Sequence, residues 1–257
     1  MTFADAKQRF SSRVDDYIRY RPGYPSEVLP LLRTECGLKP GHVVADIGSG
    51  TGFLSELFLK NGNRVYGIEP NDAMREAGEE YLASYDNFSS IVGSAEATTL
   101  EAGSVDFVSA GQAFHWFEPY STRTECRRIL KANGWMVVLW NDRQTDTPFA
   151  DAYENLLVKY GTDYKRVREA YPEAHVMQEF FGAVTVSEKI LPNVQVLDWE
   201  GLVGRLRSSS YAPQEGHPNY APMLADLEQL FRASEKDRHV RMQYATHVYY
   251  GRLAKQS

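Results

Sequence analysis

The run Val43-Val44-Ala45-Asp46-Ile47 followed by Gly48-Ser49-Gly50-Thr51-Gly52 constrains this chain more than any other part of its sequence. The first five residues read as a buried strand, and Leu54, Leu57 and Phe58 beyond the glycines recur at helical spacing. A strand passing into a helix through three glycines can turn sharply and bring main chain close to a ligand that any Cβ would exclude. Seventeen residues after Gly52 comes Glu69, at the end of a second strand. A carboxylate there can accept from both hydroxyls of a ribose. A dinucleotide fingerprint would place its third glycine at position 53, but that residue is Phe53 and the glycine falls one position early. The GxGxG spacing favours S-adenosyl-L-methionine, which has no pyrophosphate to seat on the helix terminus.

The same alternation continues downstream. Residues 43–47, 65–69, 88–92, 105–109 and 135–140 are expected as strands, rich in β-branched and aromatic residues. Helical spacing appears in Leu54, Leu57 and Phe58, in Ala73, Met74, Ala77 and Tyr81, and in Cys126, Ile129 and Leu130. Asn71 and Ser121 sit where N-caps belong, and Gly134 reads as the stop after the third helix. Strands alternating with helices call for a parallel sheet with right-handed crossovers. Upstream, 3–20 and 26–36 look helical, separated by Arg21-Pro22-Gly23-Tyr24-Pro25, which no continuous helix can include and which reads as a hinge or lid. After residue 141, helices are expected over 148–160, 163–180 and 218–234, and strands over 183–191 and 244–250. The first two helices read as an insertion over the sheet, and the two strands as its antiparallel edge. The fold class is therefore α/β: a Rossmann-like, doubly wound, seven-stranded and mostly parallel sheet with helices on both faces and a helical cap. The chain reads as one domain, 1–257, with a lid (1–40), a cofactor-binding core (41–141), a cap (142–182) and the remaining strands and helices (183–257).

With 257 residues, 43% of them hydrophobic, there is material for one large core. A net charge of −6 argues against a nucleic-acid partner and for a small molecule. No apolar run approaches the roughly 20 residues of a membrane span, and MTFADAKQRF is too polar for a signal peptide, so no membrane association and a cytoplasmic location are expected. Cys36 and Cys126 stand alone, with neither a CxxC nor a histidine at ligand spacing, so neither disulfide nor metal is expected, and the sequon at Asn87-Phe88-Ser89 carries no weight. The expected assembly is a monomer or a homodimer.

Over residues 43–140 the chain resembles the class I methyltransferases, especially the type 11 branch that includes trans-aconitate methyltransferase-like proteins. The likeness rests on the DIGSGTG loop, Glu69, Gly93-Ser94-Ala95-Glu96, Ser104-Val105-Asp106 and Gln112-Ala113-Phe114-His115-Trp116-Phe117. Tyr17 through Pro25, Ser208-Ser209-Ser210-Tyr211 and Tyr249 through Leu253 resemble the flanking segments of the same branch. The resemblance implies S-adenosylmethionine-dependent transfer of a methyl group to a small molecule, with a carboxylate as one acceptor class. It implies that Asp46 and the backbone at Gly48 and Gly50 hold the methionine portion and Glu69 the ribose, with Gly52 also in the cofactor-binding loop. Ser94, Ala95 and Glu96 lie along the adenine, and Gln112 near the methionine carboxylate. Relatives often carry Asp where this chain has Ser94, which offers a weaker, uncharged acceptor.

Methyl transfer needs aim and dryness more than acid or base groups, since the cofactor carries the activation. His115, after the fourth strand, is the candidate base if the acceptor arrives protonated, and packing beside Trp116 and Phe117 is the alternative. Tyr17, Arg21 and Tyr24 form a second cluster, in which Arg21 could pair with a carboxylate of cofactor or substrate, or be a solvated side chain. Arg205 and Arg207, with Tyr211 and His217, suit a carboxylate acceptor, though arginines beside Leu202 and Leu206 also suit a solvated helix face. Tyr160, Tyr164 and Tyr171 line an acceptor site or fill the cap. Competing readings are a non-catalytic S-adenosylmethionine-binding sensor or partner subunit, and an NAD-dependent oxidoreductase, which lacks a recognisable Tyr-Lys pair here.

Overall fold

A computed structural model describes residues 14–162, 164, 174–182 and 186–254. The helices are α1 (Val14–Tyr20), α2 (Val28–Cys36), α3 (Phe53–Lys60), α4 (Asp72–Tyr81), α5 (Pro119–Ile129), α6 (Pro148–Tyr160), α7 (Ala174–Phe181), α8 (Trp199–Arg207) and α9 (Tyr220–Ser234). The strands are β1 (Val43–Ile47), β2 (Arg64–Ile68), β3 (Phe88–Ile91), β4 (Val105–Gly111), β5 (Leu130–Arg143), β6 (Ser187–Leu197) and β7 (Val240–Gly251). They form one seven-stranded sheet in the order β3-β2-β1-β4-β5-β7-β6. The first five are parallel, while β7 pairs antiparallel with both β5 and β6. The strand order reverses between β1 and β4, and a ligand crevice opens at such a switch point beyond the carboxyl ends of the strands.

Two apolar layers cover the sheet. On one face Val28, Leu32, Leu54 and Phe58 from α2 and α3 meet Val44, Phe107 and Val137. On the other, Cys126 and Ile129 of α5 and Met177, Phe180 and Phe181 of α7 meet Ala45, Val108 and Val138. Cys36 and Cys126 are buried free thiols in opposite layers. A third core joins α6, α8 and α9 through Tyr153, Leu157, Leu202, Leu206, Leu227 and Phe231. The cap is thus assembled from α6, α8 and α9, and α7, expected to share the insertion over the sheet, packs into the sheet layer with α5.

Local sequence explains most of the boundaries, with instructive departures. The Asn71 side chain accepts from the Met74 amide and caps α4, as its position predicts. Ser121 is not a cap: Glu118 is, accepting from the amides of Tyr120 and Ser121, with Pro119 opening the helix. Gly134 is not a helix stop either. Leu130 already turns to extended geometry and pairs with Val105, so β5 begins five residues earlier than the apolar run suggests. Gly134 lies inside β5, where an added Cβ would stand 3.1 Å from the carbonyl oxygens of Asp106 and Lys131, beside the register shift between Val105 and Phe107. The strand expected at 183–191 runs instead over 187–197, and that at 244–250 begins at 240. Residues 3–13 and 165–173, including Tyr171, lie outside the described residues. No described helix is long and apolar enough to cross a membrane.

Candidate functional site

The carboxyl ends of β1, β2 and β4 converge on the glycine loop. Gly48, Gly50 and Gly52 all take positive φ, at 66°, 55° and 92°, and a Cβ on Gly48 would stand 2.7 Å from that of Ala113. Side chains are therefore excluded twice over, by conformation and by space. The loop is pinned to β2: the amides of Gly48 and Ser49 donate to the Ile68 carbonyl, and that of Gly50 to Glu69 Oε2 at 2.9 Å. Glu69 Oε1 accepts from the Asn71 amide. Burial raises the Glu69 carboxyl above its ordinary range, and these two amides oppose the rise. Asp46, at the end of β1, is fully enclosed and accepts from Ser55 Oγ at 2.7 Å and Ser109 Oγ at 3.0 Å. Burial, too large for the serines to offset, pushes it up to about 7.

Two cavities share a wall here. A crevice is lined by Asp46, Gly48, Gly50, Thr51, Phe53 and Gly111. A second chamber lies between the sheet and the cap, lined among others by Arg21, Gln112, Arg143, Tyr164, Arg205 and Tyr211. Tyr24 and Phe53 line both. The Tyr24 hydroxyl lies against Gly111, where an added Cβ would be 2.3 Å from it.

A methyltransferase domain family matches residues 45–138. An uncharacterized methyltransferase of Schizosaccharomyces pombe is 31% identical over 150 residues, covering 58% of this chain and 59% of the relative. One of Mycobacterium bovis is 32% identical over 143 residues, covering 54% of each. Among solved structures, a candidate type II methyltransferase from Anaeromyxobacter dehalogenans superposes with a TM-score of 0.66 at 20% identity, over 92% of this chain and all of the other. Over residues 45–138 the chain carries a methyltransferase domain, and its sheet has the fold of the class I S-adenosylmethionine-dependent methyltransferases. The chain spans under three fifths of the length of these two curated relatives.

The residues of the crevice fit S-adenosylmethionine, the cofactor that the matched methyltransferase domain implies. The Thr51 hydroxyl lines the crevice, buried and without a hydrogen-bond partner among the described residues. Glu69 accepts one hydrogen bond on each oxygen, Oε2 from the Gly50 amide of the loop and Oε1 from the Asn71 amide, leaving a lone pair on each for a ribose hydroxyl. Among the described residues no group of three His, Cys, Asp or Glu side chains could hold a metal.

The other expected residues divide. Gln112, with φ 53°, is held in that conformation by its side chain: Oε1 accepts from the Asn141 amide at 2.7 Å, and Nε2 faces the Asn141 carbonyl. It braces β4 against β5 and lines the chamber, not the crevice. Ser94 and Ala97 close a turn after β3, and Ala95 is buried beside it. Glu96 accepts from the Glu118 amide and Thr122 Oγ1, which ties it to α5. None of Ser94, Ala95 and Glu96 lines either cavity. Arg21 lines the chamber and donates to the Ser208 carbonyl at 2.9 Å. Tyr17 lies on α1, and its side chain is outside the described residues. His115 packs against the indoles of Trp116 and Trp140, at centroid distances of 4.5 and 5.1 Å, and burial holds its pKa down to about 3. The cluster around Arg205 separates: Arg205 and Tyr211 are buried in the chamber, whereas Arg207 and His217 are exposed.

Sequence reasoning missed Asn141, Arg143, Asn193, Thr246 and Tyr244. Asn141 accepts from Thr246 Oγ1 at 2.5 Å and donates to the Gly23 carbonyl, to which Asn193 also donates. These three strands therefore hold the Arg21–Pro25 segment down over the chamber. Polar residues within or at the ends of the strands were the one signal available.

Proposed function

We propose that this chain transfers a methyl group from S-adenosylmethionine to a small molecule seated in the chamber, with an ionised oxygen, a carboxylate being the favoured class, as the reacting group. The observation that carries this reading is that crevice and chamber are adjacent, with Tyr24 and Phe53 lining both. When bound, the cofactor supplies an activated methyl on a sulfonium that leaves as a neutral thioether. The chain's own part is to hold and to dry. The loop at 48–52, Asp46 and Glu69 would bind the cofactor, with Ser94, Ala95 and Glu96 bordering the adenine. Gln112 would fix the floor between crevice and chamber, and Tyr17, Tyr24 and Arg21 would cover it. Correct placement alone can supply roughly 7–11 kcal/mol.

An acceptor that arrives ionised is favoured because His115, kept neutral by burial and packed on two indoles, is a poor proton acceptor. The test is calorimetry and thermal shift with S-adenosylhomocysteine and NAD, followed by assays against carboxylates, phenols and amines. Binding of the thioether but not NAD, with turnover confined to acids, is expected. Turnover of amines alone would refute the acceptor class, and silence toward every acceptor despite tight thioether binding would favour a sensor.

A further inference from the structure

Three guanidinium groups line one chamber. Arg143 pairs with Glu154, donates to the Tyr164 hydroxyl and lies 4.9 Å from the Tyr153 ring, while its Nη1 is buried without a partner. Arg21 donates to a carbonyl. Arg205 is the unusual one. It is only 5% exposed, in the last turn of α8, yet Nε donates to Tyr244 Oη at 3.2 Å and Nη1 to Ser209 Oγ at 2.9 Å. Both partners are neutral, and among the described residues no carboxylate pairs with Arg205 and no group bonds its Nη2. Two acids face this space, Glu154 through its pair with Arg143 and Asp142 in the chamber wall, against three arginines.

A charge removed from water is retained only when paired or when a ligand completes it. A second sign points the same way. Burial should raise the Tyr211 phenol, yet Arg205, Arg143 and Arg21 together hold it below its ordinary range, so the chamber favours an added negative charge. The buried Tyr153 hydroxyl beside Arg143 also lacks a hydrogen-bond partner among the described residues. The rest of the wall is aromatic: Tyr24, Phe53, Tyr164 and Tyr211 give flat surfaces to a ring or conjugated chain. Arg205, Arg143 and Tyr211 line the chamber but not the crevice, which sets the unpaired charge apart from the glycine loop.

We propose that Arg205, with Arg143 beside it, anchors an oxyanion of the acceptor that takes no part in transfer, so that the chamber selects compact, flat anions and presents their other end to the crevice. The name acceptor rests on the methyltransferase reading; the anion site itself does not. The shared chemistry is an oxyanion, and carboxylate, phosphonate and sulfonate are to be told apart by experiment.

The test is calorimetry on the full chain with benzoate, phenylphosphonate, benzenesulfonate and neutral benzamide, each with and without S-adenosylhomocysteine. At least one anion is expected to bind tenfold or more tightly than benzamide. Arg205→Gln is expected to weaken that anion at least tenfold, with S-adenosylhomocysteine affinity unchanged, and Arg205→Lys to restore part of the loss. Equal binding of benzamide and the anions, no anion binding at all, or an Arg205→Gln protein that binds anions normally would overturn the proposal. Should Arg205→Gln not fold, the wild-type preference for anion over benzamide and its reduction in Arg143→Gln decide instead. Anion binding without thioether binding would leave the anchor standing and remove the methyltransferase reading.

Discussion

Asp46 and Glu69 stand at neighbouring strand ends, yet they bring different costs. Asp46 is raised from an ordinary 3.8 to about 7 in the folded chain, chiefly by burial. The folded state therefore holds a proton that the unfolded state gives up. The associated stability is full below about pH 4 and is lost as pH rises through about 7. Thermal melts of the ligand-free protein are expected to fall by roughly 3–6 °C between pH 6 and 8.5, and Asp46→Asn to shrink that difference. Glu69→Gln is expected to weaken S-adenosylhomocysteine binding about tenfold or more, since charge-assisted bonds are worth roughly twice neutral ones; calorimetry reads this directly. For His115 the packing predicts that Phe is tolerated within about threefold in kcat, while Ala costs stability on the order of 2 kcal/mol. A limb near pH 6.5 in the kcat/KM profile, abolished in His115→Phe, would speak against it. The local residues of the site were legible from sequence because their work is done within one turn: a loop needs glycine, and a strand end needs an acid. Arg143, Thr246 and Tyr244 were not, because they acquire a role only when strands far apart in the chain are brought side by side.

Elements were legible wherever their ends carried their own chemistry. Helix α6 occupies the predicted 148–160, opened by Thr147, which caps Ala150, and Pro148. Helix α5 shows the reverse. Its serine resembles a cap, but the acid three residues earlier reaches two amides first, and Ser121 donates its hydroxyl to that acid. Glu118→Ala is expected to cost about 1 kcal/mol in chemical denaturation and Ser121→Ala less. Helix α1 is held from outside: Tyr20 donates to Glu200, Gln195 donates to the Tyr20 carbonyl, and the Tyr20 ring fills the space a Cβ on Gly204 would need, at 2.0 Å. Gly204→Val is therefore expected to lift α1, seen as faster proteolysis within 21–25 and weaker cofactor binding with little change in melting temperature. The same contact is invisible in the sequence, where Gly204 is merely a glycine inside a helix.

At the scale of the whole molecule, the alternation of strands and helices over 43–140 announced the parallel half of the sheet, and the broken rhythm after 141 announced that something else completes it. What that something is, a cap drawn from three separate stretches, lies in the pairing of α6 with α9 and α8, which no local period encodes. The order of the strands has a further consequence for biogenesis. Since β7 lies between β5 and β6, the long outer edge of β5 has no neighbour while the earlier strands gather, and β6 has nothing to pair with until its turn in synthesis has passed. An emerging chain would thus present an open, sticky margin to its surroundings until residues 240–251 slide in between, and only at that late moment do Tyr244 and Thr246 reach the chamber wall and the clasp over it.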